Sequence, residues 1–507
     1  MKNLLFLLVI LVLTVAVCAC GANMPGGPGN TSSVGVAAST GTTIAVTVPS
    51  VSATESASAT KSAASVESAS SASATAPASS ASTTSSASSA STATSASTQK
   101  IDLALWHSMG GTAGEGIDYL TAQFNEQSEN INVTAEFQGS YDDAITKLKA
   151  SAASGQGPEI MQLYDIGTRW MIDSGYAVEL QTVMDRNGFD ISQIEPNIAA
   201  YYSVDGRLHS MPFNSSTPLL YYNKDAFRAA GLDPDVPPKT MDELEEMAVI
   251  LSTDENPAMA FYAYCWLFEQ FVSKQGMFFV NNENGRAGTA TAVEFDSNGS
   301  GINFFSMMND WTQRGLNHNV GRDSAAARNL FAAGQAQFWY GSTASLPSVI
   351  EAVDGNFDIG VMPLPELIPG VDGGVSIGGA SFWMMNKGDD ANKDAAWQFI
   401  EYSVAPEFQI YYHKVTAYFP ITIRSYDYPE MQRQLEENPL FVTAIHQLHD
   451  SNPRAAGALI GVFTEARGVV EAYWEEMLNG DITPEDVVDK SAAAINSAIE
   501  MYNLANK

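Results

Sequence analysis

The chain has 507 residues, 57 of them acidic and 25 basic, for a formal net charge of −32, and 45% of its residues are hydrophobic. So acidic a chain argues against a nucleic-acid or polyanion binder, whose affinity comes from neutralised phosphates. It also requires that any anionic ligand be held by a local, screened site, because the global field repels it.

Lys2 followed by the apolar run Leu4 to Val17 predicts an export signal. The run is short for a membrane span, which needs about 20 residues. Val17-Cys18-Ala19-Cys20-Gly21 reads as a lipoprotein cleavage box. Residues 1–19 are therefore expected to be a signal peptide, with Cys20 lipidated and the chain anchored on the outer face of the cytoplasmic membrane. Residues 20–99 are almost entirely Ala, Ser, Thr, Val and Gly, with Glu55, Lys61 and Glu67 as their only charges. That composition predicts a disordered tether, with a mean reach of roughly 50 Å. Residues 100–507 are expected to form the globular part. They retain one cysteine, Cys265, so an internal disulfide is impossible and a buried structural thiol is expected.

Ile101 to Trp106 predicts a strand, and Ile117, Leu120 and Phe124 share a helical face. Ile131 to Phe137 alternates as a second strand, Tyr141 opens a helix, and Ile160 to Tyr164 is a third strand. This β-α-β-α-β rhythm predicts an α/β fold with a mostly parallel sheet. Ligands bind such sheets beyond the carboxyl ends of the strands, which points to His107-Ser108, Gly139-Ser140-Tyr141 and Asp165.

Pro212 to Leu244 is the richest stretch. Asn214-Ser215-Ser216-Thr217 is a hydroxyl-rich turn, and Leu219-Leu220-Tyr221-Tyr222 is a buried strand. A helix follows from Asn223 to Gly231, and Thr240 caps the next with Glu243 at the capping-box position. Met241 to about Gly315 is helical and aromatic. Strands are expected at Ala336 to Tyr340 and Phe357 to Pro363, and a glycine turn at 376–381 precedes the apolar run Phe382 to Met385. Thr483 caps a final helix that carries Val488, Ile495, Ile499 and Tyr502 on one face.

Catalytic signatures are missing: there is no Walker loop, G-x-S-x-G, CxxC or HExxH motif. His446 and His449 with Asp450 read as helix polarity rather than a metal face. Hydroxyl or glycine turns beside strands recur instead at Ser216, Ser342 and Gly379, and such turns expose hydroxyls and N–H groups to an anion. Arg467 stands out in a chain poor in basic residues, and its local pattern is that of a surface salt bridge.

Trp106 to Gly111, Pro212 to Lys239, Val320-Gly321-Arg322, Gly378 to Ser381 and Tyr418 to Thr422 resemble the glycerol-3-phosphate-binding proteins of ABC importers. These belong to extracellular solute-binding protein family 1, and the resemblance runs in order over residues 101–505. It implies a two-lobed periplasmic-binding-protein fold (type II), with lobe 1 about 100–213 and 325–375 and lobe 2 about 214–324 and 376–507. It implies that Tyr141 and Asp165 hold glycerol hydroxyls, and that Ser216, Ser342, Gly379 (through its N–H), Tyr418 and Arg467 surround a phosphate. Asp165 stands where the family usually has glutamate. Tyr262 and Cys265 stand where the family's glycerol-3-phosphate binders have tryptophans. The lost bulk leaves room for a head group, so a glycerophosphodiester such as glycerophosphocholine is expected alongside glycerol-3-phosphate. Tyr262, Tyr264, Trp266, Trp339 or Trp383 would face a quaternary ammonium.

The expected partners are that ligand, ABC permease subunits and, through the lipid anchor, the membrane. No nucleic acid, no metal and no cofactor is expected, and the protein is expected to be a monomer without enzymatic activity. The competing readings are a binder of a neutral oligosaccharide on the same fold and a surface phosphodiester hydrolase.

Overall fold

Strand β1 (Ile101–His107) buries Leu103, Leu105 and His107 and leaves the residues between them less covered, as its alternating sequence requires. The structure, a computed structural model, describes residues 100–152 and 155–506. The expected signal peptide, Cys20 and the tether lie outside the described residues. Among the described residues no helix is long and apolar enough to cross a membrane.

Ten further strands follow in chain order: β2 (Ile131–Phe137), β3 (Ile160–Tyr164), β4 (Ser203–Val204), β5 (Arg207–Leu208), β6 (Met211–Ser216), β7 (Pro218–Asn223), β8 (Met259–Ala260), β9 (Phe338–Ser342), β10 (Ile359–Met362) and β11 (Gly378–Met384). A five-stranded sheet has the order β2-β1-β3-β11-β6, a four-stranded sheet the order β10-β7-β9-β8, and β4 and β5 form a hairpin. Only part of this is parallel. β1 runs parallel to β2 and β3, and β8 to β9, but β11 is antiparallel to both β3 and β6, and β7 is antiparallel to β9 and β10. The mostly parallel sheet expected from the first elements is thus confined to its first three strands. β11 returns from far along the chain, where no local rhythm announces it.

The sheets also redraw the expected lobe boundaries. β9 and β10, expected in lobe 1, pair with β7 in the second sheet. β11, expected in lobe 2, pairs with β3 and β6 in the first, and β6 keeps Asn214 to Ser216 in that first sheet. The physical reason is that β6 and β7 are separated by Thr217 alone, so the chain changes sheets at that residue. It changes back between β10 and β11.

Hydrogen bonds bind the crossing segments together. Gln447 donates to Thr217 Oγ1 (3.3 Å) and to the Pro218 carbonyl (2.5 Å), and accepts from Leu364 N–H (2.7 Å). Gln270 exchanges two bonds with Ser376. Asn282, Glu283 and Asn284 form a left-handed turn (φ 56°, 54° and 57°), a conformation that costs L-residues about 1–2 kcal/mol each. Arg286 leaves that turn and donates to the carbonyls of Tyr201, Ala456 and Gly457.

The capping signals read from sequence operate as expected. The Asn223 side chain accepts from Asp225 and Ala226 N–H, Gly231 ends that helix at φ 75°, and Thr240 with Glu243 forms the capping box. Thr483 caps Pro484–Ala505 in a second box with Asp486. The strand expected at Ala336 to Tyr340 runs two residues later, because Ala336 and Gln337 are used in turn bonds to Leu330 and Ala258.

Candidate ligand-binding cleft

The carboxyl end of β3, the β6–β7 crossing, the end of β9 and the start of β11 all open onto one cleft of about 830 Å³. Tyr141, Asp165, Ser216, Ser342, Gly379, Tyr418 and Arg467 all line it, as do Tyr262, Tyr264 and Trp266. They come from eight separate stretches of chain, brought together by the two sheets and by the helix Phe463–Leu478.

One wall is carried by β3 and its neighbours. Tyr141 stacks on Tyr164 (centroids 4.8 Å apart, planes 10°), and the Tyr164 hydroxyl meets Asp142 and, across the cleft, Thr464. Tyr418 stacks on Tyr412 (6.1 Å, 7°). The opposite wall is an aromatic relay. Tyr262 stacks on Tyr264 (5.8 Å, 10°), Tyr264 meets Trp266 (6.2 Å), and Trp266 meets Tyr340 (6.1 Å). Trp266 reaches the start of β11 because residue 378 is glycine; a Cβ there would lie 2.8 Å from its ring.

Arg467 is not a surface salt bridge. Its side chain is only 11% exposed, and its guanidinium makes a bidentate pair with Glu269 (Nε–Oε1 2.6 Å, Nη2–Oε2 2.9 Å). Its Nη2 also lies 3.7 Å from Asp165 Oδ2, across the cleft. Burial opposes the Arg467 charge, but Glu269 and Asp165 outweigh it and hold the guanidinium protonated. Burial raises the Asp165 carboxyl from an ordinary 3.8 to about 6; Arg467 pulls it down and Glu269 pushes it further up. Burial likewise raises the Tyr141 and Tyr418 hydroxyls, so both remain neutral donors.

Glu269 and Glu471 are the residues that sequence reasoning missed. Glu269 sits on the helix Cys265–Lys274, whose residues Cys265 to Ser273 are all buried. A lone carboxylate in the run Trp266-Leu267-Phe268-Glu269 is the signal that could have found it, since buried charges need partners. Glu471 lines the cleft and accepts the Cys265 N–H (3.0 Å). Cys265 itself is free and buried.

Other expectations fall away. Trp339 and Trp383 are not among the cleft's lining residues: Trp339 packs on Tyr221 and Phe331, and Trp383 lies in a separate core cluster. Both are almost fully buried, and their Nε1 groups have no hydrogen-bond partner. His107 is buried beneath the cleft against Phe137 rather than lining it. His449, read from sequence as helix polarity, pairs with Glu195 (3.1 Å).

The titration of Asp165 gives a signed prediction. The unfolded chain releases this proton near 3.8 and the folded chain near 6. The group's stabilising contribution is therefore full below the first value and lost as pH rises through the second. Relative to the parent, Asp165→Asn is expected to gain stability on going from pH 4 to pH 7, by on the order of 3 kcal/mol. Urea melts of both proteins across that range check it, and a difference independent of pH contradicts it.

Comparison with known proteins is decisive at the level of family. Residues 120–441 match the family model for bacterial extracellular solute-binding proteins. The sn-glycerol-3-phosphate-binding periplasmic protein UgpB of Escherichia coli K12 is 31% identical over 415 residues, covering 80% of this chain and 94% of its own. The chain belongs to the bacterial extracellular solute-binding proteins. Its two-lobed, type II architecture is shared with solved members of that group. UgpB from Mycobacterium tuberculosis, in complex with glycerophosphocholine, superposes with a TM-score of 0.68 at 22% identity, over 80% of this chain and 99% of that one. The cyclic alpha-maltosyl-1,6-maltose binding protein from Arthrobacter globiformis gives 0.66 at 22% identity, over 79% and 99%. This solute-binding protein therefore shares its fold with binders of a phosphodiester and of a sugar alike.

Proposed function

We propose that this solute-binding protein is the capture component of an ABC importer. Its cleft takes a glycerol phosphate ester, a glycerophosphodiester such as glycerophosphocholine ahead of glycerol-3-phosphate. It acts as a monomer held to the membrane through Cys20 and passes the ligand to the permease subunits.

The observation that supports this reading is that Arg467, 3.7 Å from Asp165, lines the same cleft as Ser216, Ser342, Gly379, Tyr418 and Tyr141. In this reading Asp165 and Tyr141 bind the glycerol hydroxyls, since a carboxylate accepting two hydroxyl bonds is a strong directional polyol ligand. The neutral donors shape the phosphate site and Arg467 supplies its charge. The order of preference comes from the carboxylates. Glu269 already offsets Arg467, Glu475 offsets Arg322, the other arginine on the cleft, and Asp165 and Glu471 add further negative character. A dianionic monoester therefore meets too little positive charge, whereas a diester brings a single negative charge. The curated UgpB relatives are named for glycerol-3-phosphate, which supports the ester class as a whole.

A neutral oligosaccharide is the second reading. It is favoured by the bidentate occupation of Arg467 by Glu269 and by the three stacked tyrosine pairs, which suit sugar faces. A thermal-shift panel separates the two. Glycerophosphocholine at a hundredfold excess over its Kd should stabilise the protein by about 2.7 kcal/mol of linked free energy, with no shift from maltose. A shift with maltose alone would overturn the proposal.

A further inference from the structure

The helix Phe463–Leu478 sets three charged residues at four-residue spacing, Arg467, Glu471 and Glu475, which places them on one helical face. Two of them are already matched. Arg467 is held by Glu269, and Glu475 accepts from Arg322 (3.0 Å). Glu471 forms no ion pair among the described residues, and its one hydrogen bond there is the Cys265 N–H on Oε1. Yet it lines the cleft and is largely withdrawn from solvent, which raises its carboxyl above the ordinary range.

That hydrogen bond also fixes where the carboxylate lies. Cys265 stands between Tyr264 and Trp266, so Glu471 sits at the foot of the aromatic wall. Its charge contributes to raising both the Tyr262 and Tyr264 hydroxyls, after burial and their other neighbours. Trp266 is itself almost fully buried, lines the cleft and leaves its Nε1 without a partner. Arg467 and Arg322 act on the Glu471 charge from nearby, but each is engaged by another carboxylate, Glu269 and Glu475. A carboxylate without a direct ion-pair partner beside two parallel tyrosine rings and a tryptophan has the chemistry of an ammonium site: ring faces for the alkylated or protonated nitrogen, and a negative charge to balance it.

We propose that Glu471, with Tyr262, Tyr264 and Trp266, forms a cation subsite that selects glycerophosphodiesters whose head group carries a positive charge. The inference rests on the phosphodiester reading and narrows it from diesters in general to those with an amine or quaternary ammonium. The spacing suits such a ligand. One helical turn separates Arg467 from Glu471, about 6 Å along the axis, and a two-carbon linker between phosphate and nitrogen spans a comparable distance. The zwitterion also matches the charges already present, with phosphate toward Arg467 and nitrogen toward Glu471.

The test compares two ligands of similar size on two proteins by calorimetry. Glycerophosphocholine carries a cationic head group and glycerophosphoglycerol a neutral one. Glu471→Gln removes the charge but keeps an amide oxygen for the Cys265 N–H. The parent is expected to bind glycerophosphocholine about tenfold or more tightly than glycerophosphoglycerol, the scale of one charge-assisted contact. In Glu471→Gln that preference should vanish through weaker glycerophosphocholine binding, with glycerophosphoglycerol changed less than about twofold. Equal weakening of both ligands would mark Glu471 as merely structural and overturn the inference. So would equal affinities in the parent, a measurement that needs no variant. If the parent binds neither diester, the phosphodiester reading itself fails, a result distinct from binding both without preference.

Discussion

Arg467→Ala is expected to abolish useful capture of a phosphate ester and to destabilise the folded chain at the same time. The guanidinium is the more enclosed of the cleft's two arginines, and its loss leaves Glu269 and Asp165 without the cation between them. Truncating one member of a buried charge pair costs about 3–5 kcal/mol of stability. Removing a desolvated charge contact to a ligand costs about 2–5 kcal/mol of binding. The two effects separate experimentally. Arg467→Ala combined with Glu269→Ala removes both ends of the bidentate pair, so urea melts should recover much of the lost stability. Calorimetry on the same double variant should still find phosphate-ester binding lost. Recovery of binding in the double variant would show that Arg467 serves the fold alone, and would favour the neutral-sugar reading.

Gly379→Ala is expected to disturb both the sheet and the site. Gly379 lies in β11 opposite Ser215 of β6, at φ 119°, a conformation that side chains resist. A Cβ there would stand 1.8 Å from the Asn214 carbonyl oxygen and 3.1 Å from Ser215 Cα. Both are backbone atoms, so β11 and β6 must part. The combined strain and overpacking amount to about 3 kcal/mol or more. Parting these strands also moves Ser216 and the crossing at Thr217, so ligand affinity should fall along with stability. Denaturation and titration of the purified variant check both. A loss of affinity with unchanged stability would mean that the residue acts on the ligand and not on the sheet.

What could be read in the sequence had local causes. The caps at Asn223, Thr240 and Thr483 follow from side chains reaching backbone N–H groups two or three residues away, and all three operate. The first three strands and the helices between them follow from apolar periodicity. The pairing of β11 between β3 and β6 joins residues far apart in sequence, which no periodicity encodes, and the lobe boundaries went wrong for that reason. Tyr141 and Asp165 were legible from their places beyond strand ends, and Ser216, Ser342 and Gly379 from their turns, but Tyr418 and the role of Arg467 came from resemblance, since Arg467 alone reads as a surface charge. The bidentate Glu269 escaped because it lies 198 residues from Arg467 and on another helix. Glu471 escaped because its place on the cleft beside the Cys265 N–H is a property of the folded chain and of no motif.

The most direct measurement for the whole account is a calorimetric titration of the wild-type globular part with glycerophosphocholine and, separately, with glycerol-3-phosphate. A cleft whose two lining arginines are already offset, Arg467 by Glu269 and Arg322 by Glu475, and whose aromatic wall is acidic should bind the diester the more tightly, by about tenfold or more, a gap of roughly 1.4 kcal/mol. Tighter binding of the monoester by the same margin, or binding of neither, would contradict it.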